Sequence, residues 1–173
     1  GIYKFTNIQF DHENNDSSVL NANIQLTQSV PKSFRVELQG VTKSNDYVGP
    51  RLMLSFQDRN LFSGAEKLSL DLSSTFQVQI SDEQEAGNAY EAGADLTFSV
   101  PRFIFPFVDL NKYLSRRYTP QTNMRAGYTF SLRTRYFRMH TFRTGFGYRW
   151  RESETNRHEV NLLDLSYSHL ANT

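Results

Sequence analysis

Lys67-Leu68-Ser69-Leu70-Asp71-Leu72-Ser73-Ser74-Thr75-Phe76-Gln77-Val78-Gln79-Ile80 decides the fold. Leu68, Leu70, Leu72, Ser74, Phe76, Val78 and Ile80 alternate with Lys67, Ser69, Asp71, Ser73, Thr75, Gln77 and Gln79, so one face is nearly all apolar and carries no charge. A period of two is the signature of a β-strand with one apolar side. At roughly 3.3 Å per residue the run is about 45 Å long, and a tilt of ~45° brings its span to about 30 Å, the thickness of a bilayer's hydrocarbon core. Strands of soluble proteins are typically only ~5 to 6 residues long. Length as well as pattern therefore points to a strand that crosses a membrane.

Working outward, the same parity recurs. Phe34, Val36, Leu38 and Gly40 alternate with Arg35, Glu37 and Gln39, and Leu52, Leu54 and Phe56 alternate with Arg51, Met53, Ser55 and Gln57. These two read as one hairpin. Tyr90, Ala92, Ala94, Leu96, Phe98 and Val100 oppose Glu91, Gly93, Asp95, Thr97 and Ser99; Met124, Ala126, Tyr128, Phe130 and Leu132 oppose Arg125, Gly127, Thr129, Ser131 and Arg133. Phe142, Phe146, Tyr148 and Trp150 oppose Arg143, Gly145, Gly147, Arg149 and Arg151, and a less regular strand runs from about Glu159 to His169. Seven strands are expected from Ser33 onward. A lipid-facing Arg or Lys at the bilayer midplane costs roughly 2 to 4 kcal/mol, whereas one in a hydrated lumen costs little, which accounts for the shared parity of the charges. A large soluble β-sandwich also alternates and is the competing reading.

Composition sets the outer limits. The 173 residues include no Cys, carry a net charge of +1, and are 38% hydrophobic and 21% charged. A mean hydropathy of −0.57 does not argue against a barrel, in which only alternate positions are apolar. No stretch approaches the ~18 to 20 consecutive apolar residues of a membrane helix, so any crossing is made by strands. Without Cys there is no disulfide scaffold and no thiolate zinc site. The near-neutral charge argues against a nucleic-acid partner. No EF-hand, P-loop, dinucleotide fingerprint or metal-binding His cluster occurs, so no cofactor and no metal are implied.

The connections fit alternating sides of a membrane: Thr42 to Gly49, Ser81 to Asn88 and Thr134 to Arg138 at one end, Asp58 to Glu66, Pro101 to Thr122 and Glu152 to His158 at the other. Pro101 and Pro106 keep the longest of these out of a central strand. Its Phe103, Phe105 and Phe107, with Trp150, suit an interfacial aromatic girdle, and a turn of helix is expected near Asp109 to Leu114. The first 30 residues differ. Tyr3 to Phe10 and Val19 to Leu26 form a hairpin too short to span a membrane, around the polar run Asp11 to Ser18, and Val30-Pro31 marks a joint. Residues 1–30 read as the tail of a soluble module and residues 31–173 as the barrel segment; the start lacks the features of a signal peptide and lies inside something larger, or after processing.

The short hairpin (Asn7-Ile8-Gln9-Phe10 and Asn23-Ile24-Gln25-Leu26), the strand Ser33-Phe34-Arg35-Val36-Glu37-Leu38-Gln39-Gly40 and the turn Asp58-Arg59-Asn60-Leu61-Phe62-Ser63-Gly64-Ala65-Glu66 follow in an order that resembles the BamA/TamA superfamily. These are outer-membrane β-barrel assembly and translocation proteins, and the turn is closest to the TamA-like lipoproteins of Bacteroidota. Leu96-Thr97-Phe98-Ser99-Val100-Pro101-Arg102-Phe103 is similar to the family's strand, Pro, aromatic pattern. The resemblance covers nearly the whole chain. It implies an all-β, antiparallel transmembrane barrel of about sixteen strands, of which about seven are present, preceded by the last hairpin of a periplasmic POTRA module. The POTRA helices and the lumenal Arg-Gly-aromatic loop of the barrel's second half are missing, as truncation would leave them. The implied partners are outer-membrane lipids, unfolded outer-membrane protein substrates and accessory envelope subunits. The implied location is the bacterial outer membrane, with residues 1–30 in the periplasm.

An edge strand accepts an incoming strand through its backbone, so this activity needs no catalytic residue. Phe34, Val36, Leu38 and Gly40 would form that seam strand; Gly40 either eases the seam open or marks an ordinary bend, and the bend is the preferred reading. Arg59, Asn60, Leu61, Phe62, Gly64 and Glu66 form the family-like turn, which would touch the POTRA module or, in the plainer and preferred reading, is a tight turn with Gly64 supplying positive φ and Phe62 anchored in the interface. Arg133, Arg135, Arg138, Arg143, Arg149 and Arg151 would meet anionic lipopolysaccharide or steer substrate, against a default of lumenal hydration for the strand residues. A passive porin and a soluble β-domain are the alternatives. A hydrolase built on His140, His158 or His169 with Asp164 and Ser166 is disfavoured, because Asp164 and Ser166 share a face and His169 has the opposite parity.

Overall fold

The computed structural model describes residues 3–12, 20–44, 46–80, 87–104, 119–134, 136–153 and 155–171. The helical turn expected near Asp109 to Leu114, the girdle residues Phe105 and Phe107, most of the Asp11 to Ser18 run and Arg135 lie outside them. The described residues are all-β, with antiparallel pairing throughout. The chain divides into two compact units, Gly1–Pro31 and Lys32–Thr173.

In the first unit, β1 (Tyr3–His12) pairs with β2 (Leu20–Gln28), with a register shift between Tyr3 and Phe5. Both strands run two residues past the expected ends. Ile8 faces Ile24 and Phe10 faces Ala22, and Ile8, Phe10, Ile24 and Leu26 are all exposed. A two-stranded hairpin alone is marginally stable and needs a helix or further strands against its apolar side.

The second unit is one meander of seven strands in sequence order: β3 (Lys32–Thr42), β4 (Tyr47–Asp58), β5 (Lys67–Gln79), β6 (Asn88–Val100), β7 (Gln121–Arg133), β8 (Phe137–Arg151) and β9 (Arg157–Ala171). Strands of 11 to 15 residues are about twice the soluble norm. The sheet is open, with β3 and β9 as edges that do not pair with each other.

Register converts alternation along each strand into rows across all seven. One row reads Phe34, Phe56, Leu70, Leu96, Ala126, Thr144, Leu165; the next, Val36, Leu54, Leu72, Ala94, Tyr128, Phe142, Tyr167; the third, Leu38, Leu52, Ser74, Ala92, Phe130, His140, His169. These rows hold no Asp, Glu, Lys or Arg. The charges of that face stand outside them, Lys32 and Asp58 in the row below and Arg138 in the row above. The opposite face carries Arg35, Ser55, Asp71, Asp95, Arg143 and Ser166 in a single row. Cross-strand hydrogen bonds knit it together: Ser55 Oγ donates to Asp71 Oδ1 at 2.6 Å, Arg51 Nε to Thr75 Oγ1 at 3.0 Å, and Arg143 Nη2 to Asp95 Oδ1 at 3.1 Å and to Thr129 Oγ1 at 3.0 Å.

Two irregularities correct the expected pattern, the first of them by changing parity. Between Phe146 and Gly147 the β8–β9 register shifts: Phe146 still opposes Leu163, but Gly147 opposes Asn161, leaving Leu162 as an extra residue. Beyond this bulge the odd-numbered Leu163, Leu165 and Tyr167 occupy the apolar face, which is why the last strand looked irregular. A Cβ on Gly147 would stand 2.7 Å from the Val160 carbonyl oxygen, so the bulge needs glycine there. The second correction concerns β4. It begins at Tyr47, not after Gly49, and takes in Pro50, whose missing N–H coincides with a gap at Gly49 and Pro50 in the β4–β5 ladder.

Candidate functional site

A wall one strand thick has no interior, and its two faces and two edges are where its chemistry lies. Among the described residues only Tyr47, Val100 and Tyr148 are buried hydrophobics. Leu52, Leu72, Leu96, Phe142, Leu165 and Tyr167 are all exposed. Isolated exposed apolar residues need no explanation, but an unbroken band seven strands wide marks a surface that meets another apolar phase.

At the edge, β3 places the expected seam residues in one line. Phe34, Val36 and Leu38 are 67%, 56% and 77% exposed, each paired on one side only, to Phe56, Leu54 and Leu52. Gly40 pairs with Pro50, and a Cβ there would meet nothing within 4 Å. Neither positive φ nor close approach therefore demands a glycine. What the position provides is the absence of a side chain opposite a residue with no N–H.

The family-like turn joins β4 to β5, and Lys32 Nζ at the start of β3 reaches Asp58 Oδ2 at its first residue (3.8 Å). The turn is tied by its own side chains. Asp58 Oδ1 accepts from the Asn60 N–H (3.0 Å), Asn60 Oδ1 from the Ala65 N–H (2.9 Å), and Glu66 Oε2 from the Gly64 N–H (2.9 Å); the Leu61 N–H donates to the Glu66 carbonyl (3.2 Å). Arg59 turns away, donating to Gln57 Oε1 at 3.1 Å. The positive φ angles fall at Ser63 (65°) and Ala65 (64°), not at Gly64. Glycine at 64 serves another purpose: a Cβ there would push the Glu66 carboxylate aside. That carboxyl is held below its ordinary value by its own backbone N–H, with the N–H groups of Gly64 and Phe62 and the charge of Arg102 acting in the same direction and burial opposing them. Phe62 is exposed, with one ring edge against Phe98 at 6.2 Å.

At this same end the apolar face carries a cluster of rings. Phe103 meets Tyr148 edge-on at 5.2 Å and Trp150 at 5.7 Å, and Trp150 stacks on His158 at 5.2 Å. The fully buried Thr122 fastens the strap that brings Phe103 there: its hydroxyl donates to the Arg102 carbonyl (2.7 Å) and accepts from the Ile104 N–H (3.0 Å), while Tyr148 OH donates to the Ile104 carbonyl (2.6 Å). Trp150 and Phe103 were legible as strand-end aromatics. Thr122 and Arg102 were not, because nothing in their local sequence marks a hydrogen bond to a residue far along the chain.

Of the remaining candidates, Asp164 and Ser166 lie opposite Gly145 and Arg143 on the charged face, and His169 lies opposite His140 on the apolar one. His140 Nδ1 is 2.8 Å from Tyr128 OH, and His158 Nε2 is 3.1 Å from Glu152 Oε2 at the strand end. Arg149 pairs with Glu159 at 3.0 Å and Arg143 with Asp95, so both are engaged in cross-strand ion pairs.

No protein-family model, curated protein or solved structure matches this chain.

Proposed function

We propose that the chain is the N-terminal half of an outer-membrane β-barrel of the BamA/TamA type, joined to the last hairpin of a POTRA module, and that it assembles or translocates proteins at the outer membrane. The observation that carries this reading is the three-row belt, without Asp, Glu, Lys or Arg across seven strands, with most of the charged groups on the opposite face. In a bilayer that belt faces acyl chains and the charged face meets lumenal water. Residues 1–30 lie in the periplasm, where the exposed Ile8, Phe10, Ile24 and Leu26 pack against the helices that complete a POTRA fold. The partners are outer-membrane lipids, unfolded outer-membrane proteins and accessory envelope subunits.

The working element is the β3 edge. Its unpaired N–H and C=O groups template an incoming strand by β-augmentation, and its alternating side chains put the substrate's apolar residues on the lipid side. Gly40 opposite Pro50 weakens the end of this hairpin and eases the parting of the seam. Photo-crosslinking groups at Gln39 and at Leu165, in the full-length parent protein in its native membrane, test the reading. Capture of unfolded outer-membrane proteins from Gln39 and not from Leu165 is expected. Equal capture from both positions, or none from either, overturns it.

A further inference from the structure

On the charged face, at the end of the wall where β3 turns into β4, a recess of about 170 Å³ is lined by Gln77, Ala89, Glu91, Arg133, Phe137 and Lys43 among others. Register explains the gap. Gln77 pairs with Ala89 and Ala89 with Arg133, so a methyl group separates two long polar side chains in one row. Their Cα atoms stand about two strand spacings apart, roughly 10 Å.

Gln77 is only 3% exposed, and its Nε2 has no hydrogen-bond partner, the single buried side-chain polar atom so placed among the described residues. A buried donor left unmade is costly, so such an atom marks a missing partner. Arg133 stands over the rings of Tyr47 (5.6 Å) and Phe137 (5.7 Å). Those rings fix the guanidinium's position, and among the described residues its in-plane N–H groups meet no acceptor. Among the described residues no carboxylate pairs with Arg133 or with Lys43, and Glu91 in the same recess pairs with neither.

We propose that this recess binds a small hydroxylated oxyanion, either a carboxylate or a phosphate. Gln77 Nε2, Arg133 and Lys43 donate to its oxygens, and Glu91 accepts from its hydroxyl. The amide donor and two cations demand acceptor oxygens with negative charge, the volume admits only a few non-hydrogen atoms, and a carboxylate beside them requires a donor on the ligand. Neither the membrane nor the edge strand enters this inference.

The test is titration of the ¹⁵N-labelled full chain in detergent micelles with sodium glycolate or inorganic phosphate at fixed ionic strength, reading the Gln77 side-chain amide. Saturable shifts confined to the recess are expected, with at least one probe. Saturation by glycolate alone assigns a carboxylate, by phosphate alone a phosphate group. Arg133→Gln is expected to weaken binding about tenfold or more, and Lys43→Gln, at an exposed turn position that the fold does not depend on, severalfold; Arg157→Gln at the far end leaves it unchanged. Shifts that never saturate, that appear equally at every exposed arginine, or that survive in both Arg133→Gln and Lys43→Gln overturn the proposal.

Discussion

Glu66 and Gly64 show how much one turn depends on a single missing atom. The Gly64 N–H and the Glu66 carboxylate meet at 2.9 Å because no Cβ intervenes. Gly64→Ala is expected to destabilise the chain modestly, since the carboxylate must swing aside and its hydrogen bond is lost. The loss should be smaller when Glu66→Ala is already in place, because neighbours in contact are not additive; denaturant unfolding of the four chains of that cycle measures it. The same carboxylate has a folded-state value below its unfolded one, so its contribution to stability is complete above the ordinary 4.5 and is lost as pH falls through the depressed value. Unfolding midpoints recorded between pH 7 and pH 3 should therefore fall at the acid end, and less steeply in Glu66→Gln. At this scale the sequence was partly legible. The Asn, Gly and Glu of the turn announced themselves, but left-handed backbone settled on Ser63 and Ala65, because the Asn60 and Glu66 side chains claim the N–H groups that fix the loop's path.

Leu72 belongs to the strand scale. It sits in the middle row with Leu54 on one side and Ala94 on the other, two rows from any Asp, Glu, Lys or Arg of that face. In a bilayer, Leu72→Arg is expected to destabilise the folded chain by roughly 2 to 4 kcal/mol, whereas Ser73→Arg on the opposite face should cost little. Unfolding in lipid vesicles distinguishes the two, and equal penalties would contradict a lipid-facing belt. Strand existence was readable because a period of two persists through β5, β6 and β7. Strand ends and register were less so. Pro50 argued locally against a central strand, yet β4 absorbs it where the ladder to β5 is broken anyway. The parity change in β9 depends on Gly147 admitting the Val160 carbonyl, a contact across strands that no local window contains.

For the Lys32–Thr173 unit as a whole, the sorting of side chains by face makes one spatial prediction. Single fluorophores at Leu54, Leu72 and Tyr128 should be quenched by nitroxides carried on lipid tails, and those at Ser55, Asp71 and Thr129 by a water-soluble quencher. The opposite order, or protection of both sets from both quenchers, would place the belt against a second protein layer. The long strands and their two sorted faces were legible from length and parity together, since average hydropathy conceals a surface in which only every other residue is apolar. The recess around Gln77 was invisible at every local scale, because it arises from three neighbouring strands and a small residue on the middle one.

With seven consecutive antiparallel strands, β3 and β9 point the same way. Were the wall to curl until its own margins touched, they would meet in parallel, with the slanted and slightly weaker bonding of that arrangement. A ring of uniformly opposed neighbours needs at least one further crossing between them, whereas two copies of the wall turned end to end meet margin to like margin in opposite sense. The direction of two strands thus determines which neighbours each margin can accept on equal terms with the rest of the sheet.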